Sequence, residues 1–190
     1  MGHNEIIVGS FVNLRILVPD DASLTLSWRM SKRARYLNVG AQTIEEQANW
    51  IASRPKSEFN FVIELKDKTP VGMLSLVDIN YRHRRAEPAR FIIGNEHAVR
   101  GIPAAAEAEK LLYGFAFDEV KLLRLYGTVA AANTKMIKWN KFLGFIEEGR
   151  LREHLLMDGV FQDAVFLGLL EPDYRKITVP RLGMLVGMGL

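Results

Sequence analysis

The sequence has no cysteine among its 190 residues, and this absence removes several kinds of chemistry. Thiol nucleophiles, disulfides and cysteine metal sites are excluded, and a reducing compartment is the expected setting. We predict no metal site. No apolar run approaches the roughly 20 residues of a membrane span, and residues 1–5 lack the basic start of a secretory signal. The sequence therefore predicts a cytoplasmic protein with no membrane partner.

A large charge of either sign is also absent, because the formal net charge is only +3. This mild basic excess allows phosphate-bearing ligands without demanding nucleic acid, so we expect no nucleic-acid partner. Hydrophobic residues make up 48% of the chain and charged residues 25%, which is typical of globular domains. We predict a single domain over residues 1–174 and a tail over residues 175–190 that is flexible or packed on a partner subunit.

Apolar runs separated by turn-forming residues predict a mixed fold of strands and helices. Thr43 and Glu46 form a capping box that opens a helix, and Asp158-Gly159 favours the tight turn of a hairpin. The predicted strands cover residues 11–18, 59–65, 71–79, 87–93, 125–129, 146–157 and 160–170. The predicted helices include residues 24–28, 44–53, 104–120 and 134–139.

Residues 91–106 form the most informative stretch of the chain. They begin as a short apolar strand, continue through a polar turn and end in small residues that open a helix. The start of a helix leaves backbone N–H groups unpaired at the positive end of its dipole, and small residues leave them unscreened. Such a turn suits a phosphate group. The alternative is a tight strand-to-helix connection in which small residues allow close packing.

Four motifs occur in a fixed order along the second half of the chain. They are Arg100 to Ala105, Asn133 to Ile137, Phe142 to Phe145, and Glu148 to His154 followed by Asp158-Gly159. With the order of strands and helices, they resemble the GNAT acyltransferases, in the branch of ribosomal-protein N-terminal acetyltransferases and nucleotide-amino-sugar N-acetyltransferases. The resemblance implies an α/β (α+β) GNAT fold with a mixed, mostly antiparallel sheet of about seven strands flanked by helices, with splayed strands at the cofactor site.

The resemblance also implies acetyl-CoA as co-substrate, with its pyrophosphate on the turn before the helix at residue 104. Pro103 departs from the family, which prefers glycine there, and it has no N–H to give. The strand over residues 87–93 would offer its backbone to the pantetheine arm. Asn133 matches the family's asparagine and is also suited to be a helix N-cap. The implied cofactor residues are Phe91, Ile92, Ile93, Arg100, Gly101, Ile102, Ala104, Ala105 and Asn133.

Acetyl transfer needs a base for the amine and an acid for the departing thiolate. Glu87 is the candidate base that the resemblance implies, unless it forms a salt bridge with a neighbouring arginine. The imidazole of His83 is a second candidate for proton transfer, although a solvated or phosphate-contacting role is the alternative. Asn140 stands where many relatives have a tyrosine acid, and an amide cannot donate a proton as a phenol does. The neighbouring arginines are Arg84, Arg85 and Arg90.

The acceptor site implied by the resemblance includes Trp28, Arg29, Arg82 and Arg84. Arginines beside a groove suit an anionic acceptor, and a tryptophan stacks well on a base or sugar; solvated arginines and a core tryptophan are the alternatives. We expect transfer to a small-molecule primary amine, such as a UDP-linked amino sugar. The alternatives are a protein N-terminus as acceptor and a non-catalytic acyl-CoA-binding module. The apolar tail and the family also allow a homodimer.

Overall fold

The computed structural model describes residues 6–38, 40–55 and 57–187. Its strands are β1 (Ile6–Val8), β2 (Val12–Ile16), β3 (Phe59–Leu65), β4 (Pro70–Asn80), β5 (Arg85–Ile93), β6 (Arg124–Ala130), β7 (Ile146–Met157) and β8 (Val160–Leu170). Its α-helices are α1 (Ala22–Arg29), α2 (Ile44–Ala52), α3 (Ala104–Gly114), α4 (Thr134–Phe142), α5 (Glu171–Asp173) and α6 (Val179–Gly187). Two 3-10 helices cover Pro19–Asp21 and Lys32–Tyr36, and π-helical turns cover Phe115–Glu119 and Tyr174–Thr178.

All eight strands form one sheet in the order β1-β2-β3-β4-β5-β6-β8-β7. Neighbouring strands are antiparallel except for β5 and β6, which confirms the predicted mixed, mostly antiparallel sheet. β1 is the strand that the sequence did not predict, so the sheet has eight strands instead of about seven. It is three residues long at the sheet edge with Ile6 and Val8 exposed, and no buried apolar pattern marks it.

The two faces of the sheet bury separate cores because side chains alternate along each strand. Phe61 and Ile63 of β3 belong to the larger core, which α3 and α6 cover. Val62, between them in sequence, packs in the smaller core with Trp28 of α1 and Ile51 of α2. The helices therefore lie on both faces, and the cofactor helix predicted at residue 104 has the larger core beneath it.

A buried carboxylate ties α3 to the turn between β1 and β2. Glu107 accepts hydrogen bonds from the backbone amides of Ser10, Phe11 and Val12 at 2.7, 2.6 and 2.7 Å. Its side chain is only 3% exposed, so these three donors replace the water that the carboxylate gives up. The first turns of α3 are thereby fixed to the edge of the sheet where the chain begins.

β5 and β6 are paired over only two register positions, Arg85 with Arg124 and Ala86 with Leu125. Beyond these positions β5 keeps its antiparallel partner β4, and β6 keeps its antiparallel partner β8. The two strands therefore separate from Glu87 onward. We call the point of separation the vertex, defined by residues 85–86 of β5 and 124–125 of β6.

The segment predicted as a tail forms helical structure packed on its own chain. From α5 through the π-helical turn to α6, residues 171–187 are helical, and Tyr174, Thr178 and Leu182 are 5%, 0% and 0% exposed. These residues recur every four positions, so they share one helix face, and Leu182 lies in the larger core with α3. Residues 188–190 lie outside the described part of the chain. The division of the domain at residue 174 stays a prediction.

We expect Leu182→Ala to lower the free energy of unfolding by about 2–5 kcal/mol, because it leaves a cavity in the larger core. Met184→Ala on the same helix is the matched control, since Met184 is 53% exposed and should change stability by no more than about 0.5 kcal/mol. Urea unfolding followed by circular dichroism measures both. Equal, small effects of the two substitutions would contradict the packing of α6.

Candidate active site

A cavity of about 750 Å³ lies in the gap where β5 and β6 separate. Residues 87–93 and residues 126–130 form its two strand walls, and α3, α4 and the 3-10 helix Lys32–Tyr36 complete it. This volume is typical of small-molecule sites. The polar and charged residues in its wall are Arg29, Lys32, Arg33, Arg35, Tyr36, Asn38, Glu87, Arg90, Glu109, Tyr113, Tyr126, Thr128, Asn133, Lys135 and Asn140.

Glu87 is the first residue of β5 beyond the vertex, and its side chain lies over Gly127 of β6. A β-carbon added at Gly127 would be 3.2 Å from Glu87 Oε1, so the absence of a side chain there makes room for the carboxylate. Burial raises the pKa of Glu87, and the negative charge of Asp78 adds to this effect. The backbone of Thr128 and the charge of Arg90 act in the opposite direction without reversing the shift. A carboxyl group with a raised pKa in a cavity is a candidate proton acceptor.

The arginines that were alternative partners of this carboxylate are engaged elsewhere. Arg84 donates from Nε to a backbone carbonyl oxygen at 2.7 Å, and Arg85 lies over the ring of Tyr126. Arg90 pairs with Glu58 at 2.8 Å. Within the described residues, no ion pair to the Glu87 side chain is formed.

His83, Arg82 and Arg84 are exposed in the turn between β4 and β5. The backbone amide of His83 donates to Asn80 Oδ1 at 2.8 Å, which fixes the turn and leaves the imidazole outside. As far as the described residues show, none of the three side chains lines the cavity. The structure thus places two predicted acceptor-binding arginines and the second predicted base away from Glu87.

Asn140 lines the cavity, as the family pattern implies for its position on α4. A buried carboxyl group that the sequence analysis missed, Glu109 of α3, lies in the same wall. Trp139 Nε1 donates to Glu109 Oε2 at 2.7 Å, and the hydroxyl of Tyr113 donates to Oε1 at 3.4 Å. Burial raises the pKa of Glu109 to about 8, although both donors lower it. One feature of the sequence could have revealed this carboxyl group. Residues 109, 112 and 113 are spaced to share one face of α3, so Glu109 lies on a face that is otherwise apolar.

The turn before α3 retains part of the predicted phosphate site. Pro103 is the N-cap residue, and its carbonyl oxygen accepts from the Glu107 amide at 2.9 Å. The amide of Ile102 donates to a backbone oxygen within the turn at 3.0 Å, so it is engaged, in contrast to its predicted role. In the described ranges, the amides of Gly101, Ala104 and Ala105 have no acceptor. Ala105 also lines the cavity, whereas Arg100 is an exposed turn residue and Gly101 takes a positive φ of 73°.

The remaining predicted cofactor residues lie in the cavity wall. Phe91, Ile92 and Ile93 form the far part of the β5 wall. Asn133 lines the opposite side, and its side chain accepts from the Met136 amide at 3.3 Å, so its N-cap and cavity positions coexist. A bulge of β5 at residues 90–91 interrupts the pairing with β4 between Met73 and Ser75. The two residues of this bulge, Arg90 and Phe91, both line the cavity.

Arginine side chains gather at the end of the cavity formed by α1 and the 3-10 helix. Arg29 donates to the backbone oxygen of Asn38 at 2.7 Å and has no carboxylate partner in the part of the chain that the structure describes. Burial lowers the pKa of Arg29, and the positive charge of Arg90 adds to this effect. Arg33 pairs with Glu96. Arg29 thus lies in the cavity wall, and its role in binding an acceptor stays a prediction.

Trp28 lies in the smaller core instead of the cavity wall. It is 5% exposed, and a β-carbon added at Gly94 would approach its ring to 2.2 Å. The glycine after β5 therefore accommodates the flat face of the indole. Of the two alternatives for Trp28, stacking on an acceptor and packing between helix and sheet, the structure gives the second.

Comparison with known proteins defines the class. The sequence profile of the acetyltransferase (GNAT) domain matches residues 12–146. The chain belongs to the GNAT acetyltransferase family, whose members use acetyl-CoA. The separation of β5 and β6 beside α3 is consistent with this membership.

Individual relatives include acetyltransferases with two kinds of named acceptor. The chain is 34% identical to the spermidine N(1)-acetyltransferase of Vibrio cholerae over 118 residues, which are 62% of this chain and 66% of that protein. It is 33% identical over 111 residues to YdaF of Bacillus subtilis, whose name assigns it provisionally to the ribosomal N-acetyltransferases; the match covers 58% of this chain and 59% of that protein. Each match therefore leaves about a third or more of the relative's length uncovered.

A solved structure extends the likeness over most of the fold. The spermidine N-acetyltransferase of Vibrio cholerae in complex with CoA and spermine superposes with a TM-score of 0.77 at 27% identity, covering 88% of this chain and 99% of that chain. Among residues 6–38, 40–55 and 57–187, no helix has the length and apolarity needed to cross a bilayer. The same residues contain no group of three His, Cys, Asp or Glu side chains placed to hold a metal ion.

We expect Glu109 to make the wild-type protein less stable as the pH rises from about 4.5 to about 8. In this window the folded protein keeps the Glu109 proton, whereas the unfolded chain, with a pKa near 4.5, has lost it. A rise in pH therefore favours unfolding. Urea unfolding of Glu109→Gln at pH 5 and pH 8 measures the effect, since the amide still accepts from Trp139 and does not titrate. The variant should gain stability relative to wild type at pH 8, and a pH-independent difference would contradict the assignment.

Proposed function

We propose that this protein is an acetyl-CoA-dependent N-acetyltransferase that transfers acetyl directly to a primary amine of a small molecule. The observation that carries the proposal is the separation of β5 from β6 at the vertex, which opens a cavity whose wall includes the Glu87 carboxylate, next to the vertex in sequence. Family membership supports acetyl-CoA as the donor. A reducing, cytoplasmic setting and a homodimer remain expectations from the sequence.

Acetyl-CoA fits the cavity in two parts. The backbone edges of β5 and β6 that face the gap would pair with the amides of the pantetheine arm, which otherwise leave strand groups unsatisfied. The amides of Gly101, Ala104 and Ala105 at the start of α3 would hold the pyrophosphate, with the helix dipole and the nearby charge of Arg100 in support. Pro103 contributes no donor, so this site has one fewer N–H than the family pattern provides.

The chemistry assigned to the chain is a single transfer. The Glu87 carboxylate takes a proton from the ammonium group, directly or through water, and the neutral nitrogen then attacks the thioester carbon. A carbon–nitrogen bond forms, the carbon–sulfur bond breaks, the nitrogen releases its second proton to solvent as the amide forms, and the thiolate takes up a proton. The raised pKa of Glu87 makes it a better match for this task than an ordinary surface carboxylate.

Two classes of acceptor are candidates for this cavity. Spermidine is named for the Vibrio relative, and its separated ammonium groups would need carboxylates near the cavity, of which Glu87 and Asp78 are the candidates. Arg29, half-buried and without a carboxylate partner among the described residues, favours an acceptor that carries an anionic group. The UDP-linked amino sugar belongs to this second class, although the relatives named above give it no support.

A panel assay tests the proposal. Release of free CoA from acetyl-CoA is followed with spermidine, spermine, UDP-linked amino sugars and N-terminal peptides, and CoA binding is measured by calorimetry. We expect turnover with at least one small amine. Arg29→Met should raise KM for an anionic acceptor by about tenfold or more, since a charged hydrogen bond is lost, and leave KM for spermidine unchanged or lower. Binding of CoA without turnover would favour the non-catalytic module, turnover of peptides alone would favour a protein N-terminus as acceptor, and absence of CoA binding would overturn the proposal.

Glu87→Gln should lower kcat by about 10²–10⁴-fold with CoA affinity unchanged, because the amide cannot accept the proton. Asp78→Asn provides the matched test of electrostatics. Removing that negative charge lowers the pKa of Glu87, so the acidic limb of the kcat/KM profile should move to lower pH. Wild-type rates in Glu87→Gln would eliminate Glu87 as the base.

A further inference from the structure

The departing thiolate needs a proton, and the position of the family's tyrosine acid holds Asn140. Asn140 lies in the cavity wall but has no proton to transfer. Three tyrosines also line the cavity, and each donates its hydroxyl hydrogen to another group. Tyr36 donates to the backbone oxygen of Ala132 at 3.2 Å. Tyr126 donates to Asp78, and burial with the Asp78 charge raises its pKa to about 12. Tyr113 directs its hydroxyl to Glu109.

Glu109 is a carboxyl group in the same cavity wall that the reaction scheme above does not use. Its side chain has no cationic partner in the described part of the chain, and it is 4% exposed. Glu87 faces the positive charge of Arg90, whereas Glu109 faces no cationic charge among the residues that the structure describes. Glu109 keeps its proton, because its charged form loses more hydration free energy than its neutral donors return. The protonated carboxyl group of Glu109 can therefore act as a proton donor in the cavity.

The hydrogen bonds of Glu109 leave one oxygen free to donate. Trp139 Nε1 holds Oε2 at 2.7 Å, which fixes that oxygen as the acceptor and fixes the plane of the carboxyl group. Oε1 has only the long 3.4 Å contact with Tyr113. Trp139 and Asn140 are consecutive on α4. The helix that carries Asn140 at the family's tyrosine position therefore also supplies the hydrogen bond that orients Glu109.

We infer that Glu109 delivers the proton to the CoA thiolate, in place of the tyrosine that relatives have at the position of Asn140. The inference rests on the proposed function. As the carbon–sulfur bond breaks, the electron pair goes to sulfur, the hydrogen on Glu109 Oε1 moves to that sulfur, and the carboxylate remains. After the product leaves, Glu109 is protonated again, either by solvent or by the proton that Glu87 took up.

The other titratable and charged groups that face this cavity come from five parts of its wall, while β4, β7 and β8 contribute only apolar side chains. They are Arg29, Lys32, Arg33, Arg35 and Tyr36 from α1 and the segment after it, Glu87 and Arg90 from β5, Tyr113 from α3, Tyr126 from β6, and Lys135 from α4. Of these groups, Tyr113 is the one bonded to Glu109. Its hydrogen bond lowers the pKa of Glu109, and the charge of Glu109 raises the pKa of Tyr113.

The test is the pH dependence of kcat/KM, which reports the groups of the free enzyme. Wild type should lose activity above about pH 8 as Glu109 loses its proton. Glu109→Gln should be about 10²-fold slower at pH 7 and lack this alkaline limb. Trp139→Phe removes a donor that stabilises the carboxylate, so its limb should move to higher pH. Lys110→Gln, the exposed neighbour on α3, is the control and should match wild type. A Glu109→Gln profile with the wild-type limb would overturn the inference.

A second measurement needs no acceptor and separates this inference from the proposed function. The ultraviolet absorbance of the thiolate of bound CoA is titrated in wild type and in Glu109→Gln. In wild type the ionised Glu109 repels the thiolate, so the bound thiol should titrate at higher pH than in the variant. Identical titrations with intact CoA binding would show that Glu109 does not lie beside the thiolate and would overturn the inference. Absence of CoA binding by wild type would overturn the proposed function instead.

Discussion

The pairing of β5 with β6 over only two residues determines where the sheet opens and where the cavity forms. Arg85 and Ala86 hold Arg124 and Leu125 in register, and no further pairs follow, so one edge of each strand turns toward the gap. Each strand remains in the sheet because its other edge is paired, that of β6 continuously with β8 and that of β5 with β4 apart from local bulges. The sheet can therefore open in its middle without losing the cores on its faces, and a cavity with backbone walls results.

The position of the proton-transfer groups follows from this opening. Glu87 lies where the strands part, over the one residue of β6 that has no side chain to displace it. Glu109 reaches the same cavity from a helix that crosses the larger core, and it is held there by Trp139 of another helix. The two carboxyl groups have different surroundings, since Glu87 faces the charges of Asp78 and Arg90 and a backbone amide while Glu109 faces only neutral donors. A base and an acid can thus coexist in one site.

The sequence predicts the long strands and the hairpins well because their apolar runs and turn residues are local signals. The bounds of β3, β7 and β8 agree with those predicted. β1 was missed because three residues at an exposed edge carry no pattern. The C-terminal helices were missed because the glycines at 183 and 187 suggested a loose tail, while the spacing of Tyr174, Thr178 and Leu182 indicated a helix. Glu109 depends on Trp139, thirty residues away, and contacts of this kind are set only by tertiary packing.

The late position of α5 and α6 in the chain has a consequence for synthesis. These helices cover α3 and come after every strand of the sheet in the order of translation. A nascent chain that has already released all eight strands from the ribosome still has α3 uncovered on the side that Leu182 will occupy. The apolar surface of the helix expected to hold the phosphates is thus exposed until residues 171–187 have emerged and docked on it.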